Sequence, residues 1–413
     1  MPATPTSTAK HEPRATPGMP GVTGPHAALA LTTKPPPVAA EELPIPTAAQ
    51  LDLLRAALRP ASEAAPAWRR WKARGIALEA VDGPSGRLFS QLWSNREAAG
   101  IGDDDLALLK GVYRQALASN AVTLERGFRM TQPLVDAGIP VVFTKGAAMV
   151  AVAGGRLGLR RMVDIDVLVP EAQASRAVRL LLDSGVSSFF PQLPALVGRR
   201  HAWHCIDDAG TQLDLHWWAF KTAGDDDAVF RTARQAELLG RSILIPSATE
   251  LLLSIVANGF GGRPPAAPLR WIADATLLLE TEADEIDWDL LLGRARRPGL
   301  TLALRDGLGF LADELGAPVP ASVRAELDQR PVTWRERFAH HAALTDPRLG
   351  VTLAVEAELH RTRRLHSPAH VPRDLLGHLA QVTGAASGSR RRLLQEQGDR
   401  LVTRLRTGAP LLR

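Results

Sequence analysis

Apolar residues recur in two rhythms along this chain, and the change of rhythm marks its organisation. Helical spacing comes first. Leu51, Leu53, Leu54 and Leu58 follow a capping box, Thr47-x-x-Gln50, and stop at Pro60. Trp68, Trp71 and Leu78 continue the pattern, and Leu88, Leu92 and Trp93 extend it. Asp103-Asp104-Asp105 then open a long helix with the apolar stripe Leu106, Leu109, Val112, Tyr113, Ala116 and Leu117, ending near Ala137-Gly138. Three successive acids at a helix start point in different directions, so they read as favourable helix-dipole partners and not as a metal cluster.

The rhythm changes at Ile139. Ile139 to Phe143 reads as a buried strand, Thr144-Lys145-Gly146 as a turn, and Ala147 to Val152 as a short helix. A second strand runs through Asp164-Ile165-Asp166-Val167-Leu168-Val169. Pro170-Glu171 starts a helix through Leu180, Leu181 and Leu182 that ends at Ser184-Gly185. A hairpin follows, with strands over about residues 200–206 and 211–218 and the turn Asp207-Asp208-Ala209-Gly210. After Pro246 helices return, opened by a second capping box, Ser247-x-x-Glu250, and then by Leu269-Arg270-Trp271-Ile272-Ala273-Asp274, in which Arg270 and Asp274, four apart, read as an intrahelical ion pair. Amphipathic helices broken by Pro298, Pro318, Pro331 and Pro368 continue to the end.

The pattern predicts an α+β fold: a small mixed β-sheet with flanking helices, plus N-terminal and C-terminal helical regions. The expected division is a disordered Pro-rich tail over 1–45, an N-terminal helical region over 46–137, a core over 138–245, and a C-terminal helical domain over 246–413.

Composition narrows the function classes. At 45% hydrophobic and 23% charged residues, the 413-residue chain is ordinary for a soluble protein with a large core. A net charge of +5 is too small for this length to argue for nucleic acid or a membrane surface. The one cysteine, Cys205, excludes an internal disulfide and any multi-cysteine zinc site. No apolar run reaches the roughly 18 residues of a membrane span, and no secretory leader is read, so the expected compartment is the cytoplasm. Arg390-Arg391-Arg392 are interleaved with leucines and read as the basic outer face of a packed helix.

The chemistry concentrates around Asp164 and Asp166. Strand side chains two apart share a face, so two carboxylates emerge side by side from an apolar segment. Their repulsion is costly unless a cation neutralises it, and oxygen ligands so placed suit Mg²⁺ held together with substrate phosphates. Gln212, Asp214 and His216 share one face of the second hairpin strand, and Asp214 is the natural third carboxylate. Gly146 would let the backbone approach a ligand, with Lys145 as a cation beside a helix N-terminus. Taken alone these two are an ordinary turn; the following Asp pair favours an anion site. Arg160 has two readings: a bidentate phosphate ligand, or a charge holding Asp164 or Asp166 in place. His201, His204 and Cys205 do not have structural zinc spacing.

Lys145-Gly146-Ala147-Ala148, followed by Arg160-x-Met162-x-Asp164-Ile165-Asp166-Val167-Leu168-Val169 and later Leu213-Asp214-Leu215-His216-Trp217, resembles a bacterial, largely uncharacterised nucleotidyltransferase family. It belongs to the DNA polymerase β-like nucleotidyltransferase superfamily, and the resemblance spans roughly residues 120–280. It implies a minimal nucleotidyltransferase core and a metal-dependent transfer of a nucleoside monophosphate from an NTP to a hydroxyl-bearing acceptor. Asp164, Asp166 and Asp214 would be the catalytic metal ligands, for Mg²⁺ or alternatively Mn²⁺, and Lys145, Gly146, Ala147 and Arg160 would bind the nucleotide. Ala147 stands where the superfamily commonly has serine, and Asn258 where the family often has histidine. The acceptor is open: a small molecule, a peptide or an RNA end. No basic, aromatic-lined groove points to nucleic acid. The rival reading is a non-catalytic nucleotide-binding or interaction protein that keeps the fold.

Overall fold

The computed structural model describes residues 46–188, 197, 201–220, 226–260, 268–296, 299–334, 336–337 and 340. The Pro-rich segment 1–45, the Arg-rich end and Pro368 lie outside the described residues. The helices before the sheet are α1 (Ala48–Leu58), α2 (Ala61–Lys72), α3 (Gly83–Gly86), α4 (Phe89–Ser94), α5 (Arg96–Ala99) and α6 (Asp103–Asp136). The capping box at Thr47 and Gln50 forms, and the Trp68 and Trp71 rings stack 5.1 Å apart in the buried core.

Seven strands form one mixed sheet: β1 (Val142–Phe143), β2 (Asp164–Leu168), β3 (Ser187–Ser188), β4 (Ala202–Ile206), β5 (Gln212–His216), β6 (Arg234–Leu238) and β7 (Arg241–Ile245), in the order β3-β4-β5-β2-β1-β7-β6. Interleaved are α7 (Lys145–Val152), α8 (Glu171–Asp183) and α9 (Asp227–Thr232). After the sheet come α10 (Ala248–Phe260), α11 (Pro268–Glu282), α12 (Trp288–Ala295), α13 (Thr301–Leu315) and α14 (Ala321–Gln329). The fold is therefore α+β. No helix among the described residues is long and apolar enough to cross a membrane.

The register sets up the site. β2 and β5 run parallel with Asp166 opposite Asp214, and β4 pairs antiparallel to β5 with His204 opposite Asp214. Neighbouring strands in register point the same side chains to the same face. The hairpin at 202–216 forms as expected, its turn held by the Asp207 carboxylate, which accepts from the N–H groups of Ala209 and Thr211. A second hairpin, β6–β7, was not read from the pattern. Leu239 and Gly240 make its two-residue turn at φ +51° and +71°, the left-handed geometry such turns require. Its strands are short and half polar, which hides the alternation.

Helix α6 lies against β2 because Gly127 has no side chain: a Cβ there would meet Ile165 Cγ1 at 2.6 Å. Ile165 sits between the two aspartates, so this close approach fixes the strand that carries them. Two expectations need correction. The first strand is only Val142–Phe143, and the helix after it begins at Lys145, with Gly146 inside it. At the second capping box Ser247 Oγ accepts from Glu250 N at 3.4 Å, but the Glu250 carboxylate does not return to Ser247. It is buried in a bidentate pair with Arg294, at 2.6 and 2.9 Å.

Candidate active site

The acidic strand is held from both ends before any ligand is considered. On its N-terminal side, Asn120 of α6 is fully buried. Its Nδ2 donates to the carbonyls of Leu157 and Arg160 at 2.6 and 2.7 Å, and its Oδ1 accepts from Met162 N at 2.9 Å. One amide thus shapes the loop that delivers the chain into Asp164. Sequence reasoning missed Asn120, a single amide among the small and apolar residues of a long helix, which carries no local signal. On the other side, Thr144 donates from N and from Oγ1 to the carbonyl of Asp166.

Asp166 is buried. Its Oδ1 pairs with Lys145 Nζ, and His216 Nε2 lies 3.0 Å from the same oxygen. His216 Nε2 is also 3.4 Å from Lys145 Nζ. Burial by itself would raise the Asp166 pKa, but the His216 hydrogen bond and the Lys145 charge outweigh it and hold the carboxyl at about 2. Lys145 reaches this position from a left-handed backbone, φ +44°, unusual for a residue with a side chain and costing on the order of 1 kcal/mol.

Asp164 behaves oppositely. Burial, reinforced by Asp166 and Asp214, raises its pKa against the opposing charges of Lys145 and Arg270. Asp214 is buried, and its Oδ1 contacts Nδ1 of His204, whose ring is half exposed. Asp166 and Asp214 thus each have a direct side-chain partner, whereas no hydrogen bond or ion pair to the Asp164 carboxylate is found among the described residues.

Asp166, Asp214 and His216 each offer a ligand atom, all within 4.8 Å of one another, so a metal ion has a donor set ready. Asp164 stands beside this group and is not a member of it. The donor chemistry fits a hard divalent ion through the carboxylates, and the imidazole makes Mn²⁺ as suitable as Mg²⁺. Zinc through His201, His204 and Cys205 finds no such group among the described residues; Cys205 is buried, and burial plus the charges of Asp214 and Asp207 push its thiol to about 12.

The expected nucleotide-binding residues fare differently. Gly146 and Ala147 are buried in the first turn of α7. Gly146 does not make the turn; a Cβ there would meet Met162 Sδ at 2.6 Å and Arg160 Nη1 at 2.9 Å, so the glycine admits those two side chains against the helix. Arg160 is committed elsewhere. Its Nε donates to both oxygens of Asp274, at 2.9 and 3.0 Å, in a buried ion pair that joins the pre-strand loop to α11. This replaces the intrahelical Arg270–Asp274 pair expected from their spacing, because Arg160 takes both Asp274 oxygens. A recess beside Lys145 and His216 is walled by Leu168, Phe220, Val229 and Leu251.

A family model described as uncharacterised nucleotidyltransferase matches residues 85–316, more than half of the chain. No curated protein matches. Among solved structures, the chain is similar to the antibiotic-resistance factor ANT(2'')-Ia in solution, at 13% identity over 42% of this chain and 91% of that chain, TM-score 0.31. It is also similar to crystalline ANT(2'')-Ia in complex with adenylyl-2''-tobramycin, at 16% identity over 40% and 91%, TM-score 0.31. An antigenic nucleotidyltransferase-like protein from Paracoccidioides brasiliensis matches at 17% identity over 46% and 93%, TM-score 0.28. Membership rests on the match across 85–316. That stretch holds both aspartate strands, the Lys-Gly helix and the Arg160–Asp274 pair, and through it the chain belongs to the family of uncharacterised nucleotidyltransferases.

Proposed function

We propose that the protein transfers a nucleoside monophosphate from an NTP to a hydroxyl-bearing acceptor, with a divalent metal ion. The observation that carries this reading is the convergence of Asp166, Asp214 and His216 within 4.8 Å, with the Asp164 carboxylate adjacent, partly buried, and given no hydrogen bond or ion pair by any described residue. A surplus of buried negative charge destabilises a fold unless something positive occupies it.

Asp166 and Asp214 would hold Mg²⁺ or Mn²⁺, with His216 offering a further ligand atom and Asp164, beside the group, the third carboxylate for it. When bound, such an ion supplies neutralisation of phosphate charge and a lower pKa for the acceptor hydroxyl. Asp214 takes the acceptor's proton, steadied by its contact with His204. The acceptor oxygen then bonds to the α-phosphorus, the α–β bridging bond breaks, and pyrophosphate leaves with that electron pair. Lys145 and the free N–H groups at the start of α7, including those of Gly146 and Ala147, face the phosphates. Asn120 and Arg160 are positioning residues in this reading, because they act through the loop ahead of Asp164.

The test is calorimetric titration of the four ribonucleoside triphosphates with Mg²⁺ into wild type and into Asp164→Asn/Asp166→Asn. Metal-dependent binding in the wild type, abolished in the double variant, is the expected result. Binding that the double variant retains would turn the reading into that of a non-catalytic nucleotide-binding protein, and absence of binding would remove the nucleotide altogether.

A further inference from the structure

A triphosphate brings about four negative charges, and the cations nearest the acidic strand are already engaged. Lys145 pairs with Asp166, and Arg160 has both Asp274 oxygens. Arg270 is different. It lies in the first turn of α11, half-buried, and no described residue gives it a hydrogen bond or an ion pair; the acid one turn along, Asp274, is held by Arg160. Its neighbours include two further arginines, Arg160 and Arg87, and the field of Asp164 also reaches it. Arg87 caps α3, which packs against α11, and is exposed with no ion pair of its own among the described residues.

We propose that Arg270, with Arg87 beside it, binds the β- and γ-phosphates of the nucleotide. The inference rests on the nucleotidyltransferase reading and adds to it the residues that hold the leaving pyrophosphate. A half-buried guanidinium beside two others is unfavourable, and burial together with Arg160 and Arg87 lowers the Arg270 pKa to about 10. Asp274 and Asp164 offset part of that cost from a distance, and a polyanion placed between the Arg270–Arg87 pair and the carboxylate-held metal would offset the rest. Planar guanidinium groups suit phosphate oxygens bidentately. Asp164 lies within the field of Arg270, so the two ends of such a ligand would meet metal at one end and arginine at the other.

The probe is inorganic tripolyphosphate with Mg²⁺, titrated into the full chain as wild type, Arg270→Gln, Arg270→Lys and Arg87→Gln, with orthophosphate as the control anion. Each Gln variant is expected to weaken tripolyphosphate about tenfold or more, the size of a lost charged hydrogen bond, and Arg270→Lys to recover part of it. Orthophosphate should bind far more weakly and respond little. The melting temperature separates binding from structure: Arg270→Gln removes a half-buried charge that no described residue hydrogen-bonds or ion-pairs, so it should melt no lower than wild type. Wild-type affinity in both Gln variants overturns the proposal, as does a lowered melting temperature in Arg270→Gln with tripolyphosphate binding intact. Failure of the wild type to bind tripolyphosphate overturns it as well. If NTP binding depends on Asp164 and Asp166 yet ignores both arginines, this inference falls and the nucleotidyltransferase reading stands. If no NTP binds, both fall. Arg87→Gln is a surface change and keeps the test meaningful should Arg270→Gln fail to fold.

Discussion

Two buried charged sites lie close together in this protein and are built on opposite principles. In one, Glu250 and Arg294 are almost wholly buried and answer each other oxygen for nitrogen, at 2.6 and 2.9 Å. In the other, Asp164, Asp166 and Asp214 share a strip of β2 and β5; Lys145 and His216 both press on Asp166, His204 meets Asp214, and no described residue hydrogen-bonds or ion-pairs the Asp164 carboxylate. The balanced pair joins α10 to α12 and needs nothing more. The unbalanced strip keeps an acid, Asp164, whose pKa is driven up by burial and by its own neighbours. A charge that is complete within the fold is structural; one that is left over marks where a ligand belongs.

That contrast can be broken from either side. Arg294→Leu leaves Glu250 buried without its cation and should cost about 3–5 kcal/mol in denaturant unfolding, the largest effect expected here. Asn120→Ala removes three buried hydrogen bonds and should cost about 2–4 kcal/mol, with the loss of NTP binding following from a displaced Asp strand. Gly127→Ala drives a methyl into Ile165 and should cost about 1–3 kcal/mol, read by the same unfolding curves. Asp164→Asn sits at the other extreme: without metal it should alter stability by less than about 1 kcal/mol, because it removes like-charge repulsion at a partly exposed group. Its effect should emerge with Mg²⁺ present, which is expected to raise the melting temperature of wild type and not that of Asp164→Asn/Asp166→Asn. A stability loss for Asp164→Asn as large as that of Arg294→Leu would erase the distinction between the two sites.

Much of the acidic strip was legible in the chain because its logic is local. Period-two alternation places Asp164 with Asp166 and Asp214 with His216, whereas the Gly146 turn expected ahead of the apolar helix did not form, because Gly146 lies inside that helix. The hairpin at 202–216 was legible for the same reason. What escaped is what depends on partners distant in sequence. Asn120 meets its loop across about forty positions, Arg160 meets Asp274 across 114, and Glu250 meets Arg294 across 44. Each of these polar residues has a plausible local role, and for Asp274 and Glu250 the local role was the wrong one.

The sequence by itself therefore determined the elements that alternation and capping encode, the identity of the carboxylates, and the family they suggest. Only the tertiary structure decided which cation each carboxylate keeps. A guanidinium can satisfy one acid fully, and which acid it reaches is set by how helices and sheet pack, not by spacing along the chain. Arg160 chose Asp274, Arg294 chose Glu250, and Arg270 was left over. Side-chain charge is written in the sequence, but compensation of that charge is a property of three-dimensional neighbours, because Coulomb energy depends on distance and burial alone.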